Sequence, residues 1–196
     1  LPISLIKEAD GVIVGLDPIN EEVLNHATRL KVISKYGAGV NNINLQAAAD
    51  RGIIVTNTPG VNSSAVAELA IGLMLDVVRQ ISASDRLIRR GGWGRYLGYE
   101  LKGKVLGIIG AGSIGKQLAL KTRGFEMPLI VYDIKPDYEW AEKIGASYVS
   151  LTELFKTADM ISVHLPLSDV TYHLIGQEEL NLIKKTGIII NTSRGE

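Results

Sequence analysis

Three glycines and one aspartate carry the clearest chemistry in this sequence. Residues 104–115 read K-V-L-G-I-I-G-A-G-S-I-G. An apolar run enters Gly110-x-Gly112-x-x-Gly115 and then the helix-forming stretch K-Q-L-A-L-K-T-R. Eighteen residues past Gly115, Asp133 closes a second apolar run, Leu129-Ile130-Val131-Tyr132. Strand, glycine turn, helix, strand and terminal acid, in that order, make a dinucleotide-binding βαβ unit. Gly110 allows the tight turn. Gly112 lets the backbone approach a pyrophosphate, and Gly115 lets helix and strand pack closely. The helix N-terminus offers free N–H groups and a positive dipole end to the phosphates.

One competing motif overlaps these residues. Gly110 to Lys116 also fits GxxxxGK, the start of a triphosphate-binding loop. That loop needs Ser or Thr next to hold Mg²⁺, and Gln117 stands there. Asp133 narrows the dinucleotide further. A carboxylate at this point accepts hydrogen bonds from ribose hydroxyls and faces the 2′-phosphate of NADP as a like charge. At ~4 Å and an effective dielectric of ~20 the repulsion is roughly 4 kcal/mol per unit charge. NAD is therefore the expected cofactor, with Lys135 softening the discrimination.

Elements must hold these residues in place. Strands are predicted at Gly11–Val14, Lys31–Ser34, Ile53–Thr56, Val105–Ile109, Leu129–Tyr132, Met160–Val163 and Ile188–Ile190; most are continuous apolar runs, the pattern of burial on both faces, hence parallel sheets covered by helices. Helices are predicted over Asn20–Thr28, Leu45–Asp50, Ile114–Arg123, Tyr138–Ile144, Leu151–Thr157 and Gln177–Leu182. A longer one, Val66–Arg89, follows the capping residues Asn62-Ser63-Ser64. Its length suits a domain connector or a subunit interface, with a core helix as the ordinary alternative. The expected organisation is a partial α/β domain at 1–61, a connecting helix and loop at 62–100, and a doubly wound, parallel-sheet (Rossmann) dinucleotide-binding domain at 101–196. Four strands are placed in the last of these, where a full domain has six.

Composition excludes several classes. Hydrophobic residues make up 46%, enough for a packed core, and Lys plus Arg balance Asp plus Glu at 21 each. With zero net charge, nothing favours nucleic acid or an anionic membrane as partner. The cluster from Arg86 to Arg95 reads as a solvated helix end and loop. There is no cysteine, hence no disulfide, thiolate nucleophile or Cys-type zinc site, and no metal is expected. A cytoplasmic protein fits that usage. No apolar run is long enough to span a membrane. The first residue is Leu1 and the last Glu196, just after an apolar strand, and both ends read as cuts.

Five blocks, in order, resemble the D-isomer-specific 2-hydroxyacid dehydrogenase family, which includes phosphoglycerate, glycerate, formate and D-lactate dehydrogenases. They are L-K-V-I-S-K-Y-G-A-G-V-N-N-I-N (30–44), G-I-I-V-T-N-T-P-G (52–60), A-V-A-E-L-A (65–70), the glycine loop with Asp133, and S-V-H-L-P-L (162–167) followed by G-I-I-I-N-T-S-R-G (187–195). The resemblance spans nearly the whole chain. It implies a flavodoxin-like α/β substrate domain beside the Rossmann domain, and hydride transfer between nicotinamide and C2 of a small D-2-hydroxy acid or 2-keto acid. It further implies that Gly37, Ala38 and Gly39 hold the substrate carboxylate through backbone amides, Ala38 also lying near the nicotinamide. Such a glycine-rich turn is physically suited to an anion. Ser113 and Ile114 fall where the backbone meets the pyrophosphate; many relatives carry Arg in place of Ser113. Leu165 and Thr192 match positions at the adenine and nicotinamide ends.

Arg194 is implied as the catalytic residue. Its planar fork can pair with a carboxylate and reach the C2 oxygen of a 2-keto acid, stabilising negative charge there. The resemblance also implies an acid–base histidine and a glutamate downstream of Arg194, beyond these 196 residues. His26, His164 and His173 do not occupy that position, so the segment alone is expected to have little activity. A homodimer is expected from the long helix. The alternative function is an NAD(H)-sensing corepressor-like binding protein of the same fold.

Overall fold

The computed structural model describes residues 3–195; Leu1 and Glu196, where the sequence reads as cut, lie outside the described residues. The chain divides into two compact units, residues 1–62 and 63–196.

In the first unit the β-branched runs form β1 (Gly11–Val14), β2 (Val32–Lys35) and β3 (Ile54–Thr56), paired in parallel in the order β1-β2-β3. Helices α1 (Ile3–Ile6), α2 (Glu21–His26) and α3 (Leu45–Asp50) go with them. Side-chain caps start the latter two: Asn20 Oδ1 accepts from the Val23 amide at 3.0 Å and Asn44 Oδ1 from Ala47 at 2.9 Å. Ile6, Val14, Ile19, Leu24, Ile33, Ala48 and Ile53 form one core.

The second unit opens with α4 (Ser63–Arg79) and α5 (Ile81–Arg89). A single helix is expected over Val66–Arg89, but the chain breaks at Gln80, which adopts a left-handed φ of 56°. Asp76 fixes the restart by accepting from the Ser82 amide at 2.6 Å and its hydroxyl at 2.7 Å. No Pro or Gly marks this break in the sequence. α4 buries Ala67, Ala70, Met74 and Val78 against Leu106, Leu118 and Val131, so it is built into this unit's core.

The sheet of this unit contains β4 (Leu106–Ile109), β5 (Leu129–Tyr132), β6 (Ala146–Tyr148), β7 (Met160–Val163) and β8 (Ile188–Asn191). All pair in parallel, in the order β6-β5-β4-β7-β8. Among the described residues these are five strands, one more than the apolar runs indicate: Ala146-Ser147-Tyr148 is short and half-polar, an edge strand without the continuous signal of a central one. Central β4 and β7 are buried at every position. α6 (Ser113–Thr122), α7 (Tyr138–Ile144), α8 (Leu151–Thr157) and α9 (Gln177–Leu182) supply the cover. Strand order reverses on either side of β4, so a crevice opens beyond the carboxyl ends of β4 and β7.

Candidate active site: a glycine turn, a strand-end acid and a donor loop

The turn after β4 is built around its glycines. Gly110 has φ 96°, and a Cβ there would stand 2.8 Å from the His164 carbonyl oxygen. At Gly115 a Cβ would meet the Gly110 carbonyl oxygen at 2.1 Å, so only hydrogen fits where α6 presses on the turn. Gly112 differs: nothing lies within 4 Å of its missing Cβ. It is the N-cap of α6 and provides no side-chain cap. The amides of Ser113 and Ile114 meet no protein acceptor among the described residues. Open space, unpaired donors and a positive helix end coincide, the combination that suits a diphosphate.

Asp133 follows β5 directly. Its Oδ2 accepts from the Ala111 amide at 2.7 Å and its Oδ1 from the Lys135 amide at 2.8 Å. The carboxylate is thereby locked against the glycine turn, with lone pairs left for further donors. Leu165 follows β7, and its Cδ2 lies 3.0 Å from the Cβ position of Gly110. Thr192 and Arg194 follow β8. The Thr192 hydroxyl is buried without a partner. Exposed Arg194 donates from Nη1 to the Ser193 carbonyl at 3.0 Å, and its own carbonyl accepts from Asn191 Nδ2 at 2.6 Å. A cavity of about 270 Å³ is lined by Leu165, Pro166, His173, Asn191, Ser193 and Arg194, among others. Gly110, Gly112, Ser113, Ile114, Gly115, Asp133, Leu165, Thr192 and Arg194 thus share the carboxyl-end side of one sheet.

Gly37, Ala38 and Gly39 form a loop at the carboxyl end of β2 in the first unit. Gly37 has φ 134°. Its carbonyl accepts from the Thr58 amide at 3.0 Å, and the Ala38 carbonyl from Asn57 Nδ2 at 2.7 Å. The amides of Ala38 and Gly39 have no protein acceptor among the described residues. The loop therefore spends its acceptors inside the unit and keeps its donors open.

Sequence reasoning passed over several participants. Asn57 and Thr58, which orient the donor loop, look like ordinary turn residues. His164, set aside as the catalytic acid, has its Nε2 engaged with the buried Ser162 hydroxyl at 2.9 Å, while Nδ1 is buried and unpartnered. Burial lowers its pKa to about 4, so it is neutral near pH 7. Neutrality and the Ser162 bond both suit a structural group rather than a proton donor. The alternation Ser162-x-His164 at a strand end was the available signal, since it puts both side chains on one face.

Residues 71–196 match the model of the D-isomer specific 2-hydroxyacid dehydrogenase, NAD binding domain. The glyoxylate reductase of Thermococcus litoralis is 44% identical over 200 residues, covering 97% of this chain and 60% of that protein. The D-3-phosphoglycerate dehydrogenase of Methanocaldococcus jannaschii is 43% identical over 194 residues, covering 97% of this chain and 37% of that protein. Among solved structures, apo D-lactate dehydrogenase from Escherichia coli superposes with a TM-score of 0.90 at 33% identity, covering 98% of this chain and 62% of that one. D-lactate dehydrogenase from Aquifex aeolicus, complexed with NAD and lactic acid, gives 0.89 at 32% identity, covering 100% and 60%. The chain spans about 60% of the length of most of the curated relatives it matches.

Proposed function

The chain belongs to the D-isomer specific 2-hydroxyacid dehydrogenase family, and we propose that it forms part of an NAD-dependent oxidoreductase acting on C2 of a small 2-keto or D-2-hydroxy acid. The observation that carries this is the glycine turn: open at Gly112, with free Ser113 and Ile114 amides, and braced by Asp133. These residues fit NAD. The pyrophosphate goes to the amides of Ser113 and Ile114, the adenosine ribose to Asp133, and the two ends of the cofactor to Leu165 and Thr192. NAD, when bound, supplies the hydride acceptor and NADH the donor.

The protein's own residues do the rest. Open amides of Ala38 and Gly39 hold the substrate carboxylate. Within the second unit, the Arg194 guanidinium is the group suited to a C2 oxygen that gains negative charge as a keto acid is reduced. Glyoxylate is our first choice of substrate, because relatives over 36% identical across nearly all of this chain carry the name glyoxylate reductase. No residue of the chain is assigned the proton transfer at C2, so turnover by these 196 residues alone is expected to be slow.

The enzyme acts as a homodimer on this proposal, supported by an exposed apolar stripe on α4. A cytoplasmic site goes with a soluble dinucleotide and small acids as reactants; no helix among the described residues is long and apolar enough to cross a membrane.

The deciding experiment is a titration of the purified chain with NADH and NADPH, followed by fluorescence. Saturable NADH binding at least tenfold tighter than NADPH is expected. Absence of saturable NADH binding would remove the cofactor assignment and the activity built on it.

A further inference from the structure

Lys35, the last residue of β2, is 6% exposed. Its Nζ donates to the Gly15 carbonyl and, at 2.7 Å, to Asn42 Oδ1. Asn42 Nδ2 in turn donates to the carbonyls of Gly15 at 3.2 Å and Asp17 at 2.7 Å. These acceptors are all neutral. No carboxylate among the described residues pairs with this ammonium, whereas surface lysines such as Lys31, Lys102 and Lys143 each have one. A buried cation without a counter-charge is costly, and neutral acceptors recover only part of the lost hydration.

The side chain of Lys35 runs beneath the donor loop: its Cε is 3.8 Å from the Cβ position of Gly37. The Gly37 and Ala38 carbonyls are turned to Thr58 and Asn57, and the Ala38 and Gly39 amides are open. An uncompensated positive charge and a set of free N–H groups therefore meet at one loop.

We infer that Lys35 is a positioning residue for the anionic group of the substrate. From beneath the loop its ammonium supplies the positive charge that draws a carboxylate onto the Ala38 and Gly39 amides. Its bonds to Gly15 and Asn42 tie the ends of β1 and β2 together, which keeps those amides aimed outward. This rests on the carboxylate assignment made above for the loop and adds the charge on which that assignment depends. At an effective dielectric of ~20–40, losing a unit charge beside the loop is expected to weaken carboxylate binding about tenfold or more.

The test is an amide NMR titration of the ¹⁵N-labelled chain with oxalate, a dicarboxylate that cannot be reduced. In the wild type the Ala38 and Gly39 resonances should shift and saturate, the Lys35 side-chain signal should move at the same midpoint, and added KCl should weaken binding. Lys35→Met should raise the oxalate dissociation constant at least tenfold, and Lys35→Arg should restore most of it. If wild-type Ala38 and Gly39 do not respond, the carboxylate assignment falls and the inference with it. If they respond while Lys35→Met binds oxalate within twofold of wild type, only the role of Lys35 falls. Should Lys35→Met fail to fold, the wild-type midpoints decide: a Lys35 signal unmoved at saturation overturns the inference.

Discussion

Gly112 and Gly115 sit three residues apart and are glycine for different reasons, so substitution separates them. A Cβ at Gly115 would stand 2.1 Å from a backbone oxygen that cannot move without unmaking the turn. Gly115→Ala should cost several kcal/mol, on the order of 3, and lose NADH binding because the fold is damaged. A Cβ at Gly112 meets nothing in the protein. Gly112→Ala should cost about 0.5–1 kcal/mol for a poorer helix cap, yet weaken NADH at least tenfold, because the methyl stands where the diphosphate must approach. Melting curves and NADH titrations on the two variants check the split; equal losses of stability would contradict it. His164 gives a residue-scale prediction in pH. Its folded pKa, about 4, lies below the ordinary 6.5 because burial disfavours the charged ring. The unfolded chain takes up the proton first on acidification. The stabilising contribution is thus present above pH 6.5 and lost as pH falls towards 4. Between pH 7 and 5 the loss is about 2 kcal/mol. Denaturant unfolding across that range should show this slope in the wild type and a flatter one in His164→Gln.

At the scale of elements, the starts of β4, β7 and β8 are fastened by one side chain. Asp159 accepts from the Val105 amide and from Lys184 Nζ, each at 2.8 Å. Burial pushes its pKa up, but the Lys184 and Val105 hydrogen bonds and the charges of Lys184 and Lys104 outweigh that and leave it lowered. The contribution is therefore intact above the ordinary carboxylate value and disappears as pH falls through the folded one. Asp159→Asn should cost about 1–3 kcal/mol at pH 7 and much less near pH 3, measured by chemical unfolding. The break between α4 and α5 is a second elemental device. Gln80 holds a left-handed conformation that disfavours any side chain, so Gln80→Gly should raise stability by a few tenths to ~1 kcal/mol, read as a higher melting temperature. These two features also show where the sequence was legible. Ile108 and Val131 lie in unbroken apolar runs, and their strands were readable because burial on both faces leaves no polar alternation. The glycine turn was readable because close approach admits one residue type. Gln80 was not, since its left-handed bend is imposed by Asp76 and Ser82 capping the next helix rather than by its own preference. Nor was Lys35: a lysine at a strand end looks like a solvent-facing terminus, and only tertiary packing buries it.

For the whole molecule the open question is what covers α4. Its inner side is spent on the core through Ala67, Ala70, Met74 and Val78. On the outside, Leu69, Leu73 and Val77 recur at four-residue intervals with 56%, 37% and 43% of their surfaces exposed. That spacing aligns them along one face of the helix. Downstream, Ile81 and Ile88 are exposed on α5, and Trp93 and Leu97 are almost bare at 89% and 93%. A helix apolar on two faces is ordinary when each face has a partner, and exposed apolar stripes of this kind mark association surfaces. A second copy of the chain is the simplest partner, because a stripe along a helix can pair with its own image about a two-fold axis. The wild-type chain should therefore sediment as a dimer at micromolar concentration. A charge placed on the stripe, Leu73→Glu or Val77→Glu, would be solvated in the monomer but desolvated without a counter-charge in the dimer. Either variant should sediment as a monomer while keeping its helical circular dichroism and binding NADH within about threefold of the wild type, since neither residue lines the glycine turn. A wild-type chain that remains monomeric at tens of micromolar would show that this stripe does not pair with itself and would withdraw the homodimer from the proposal.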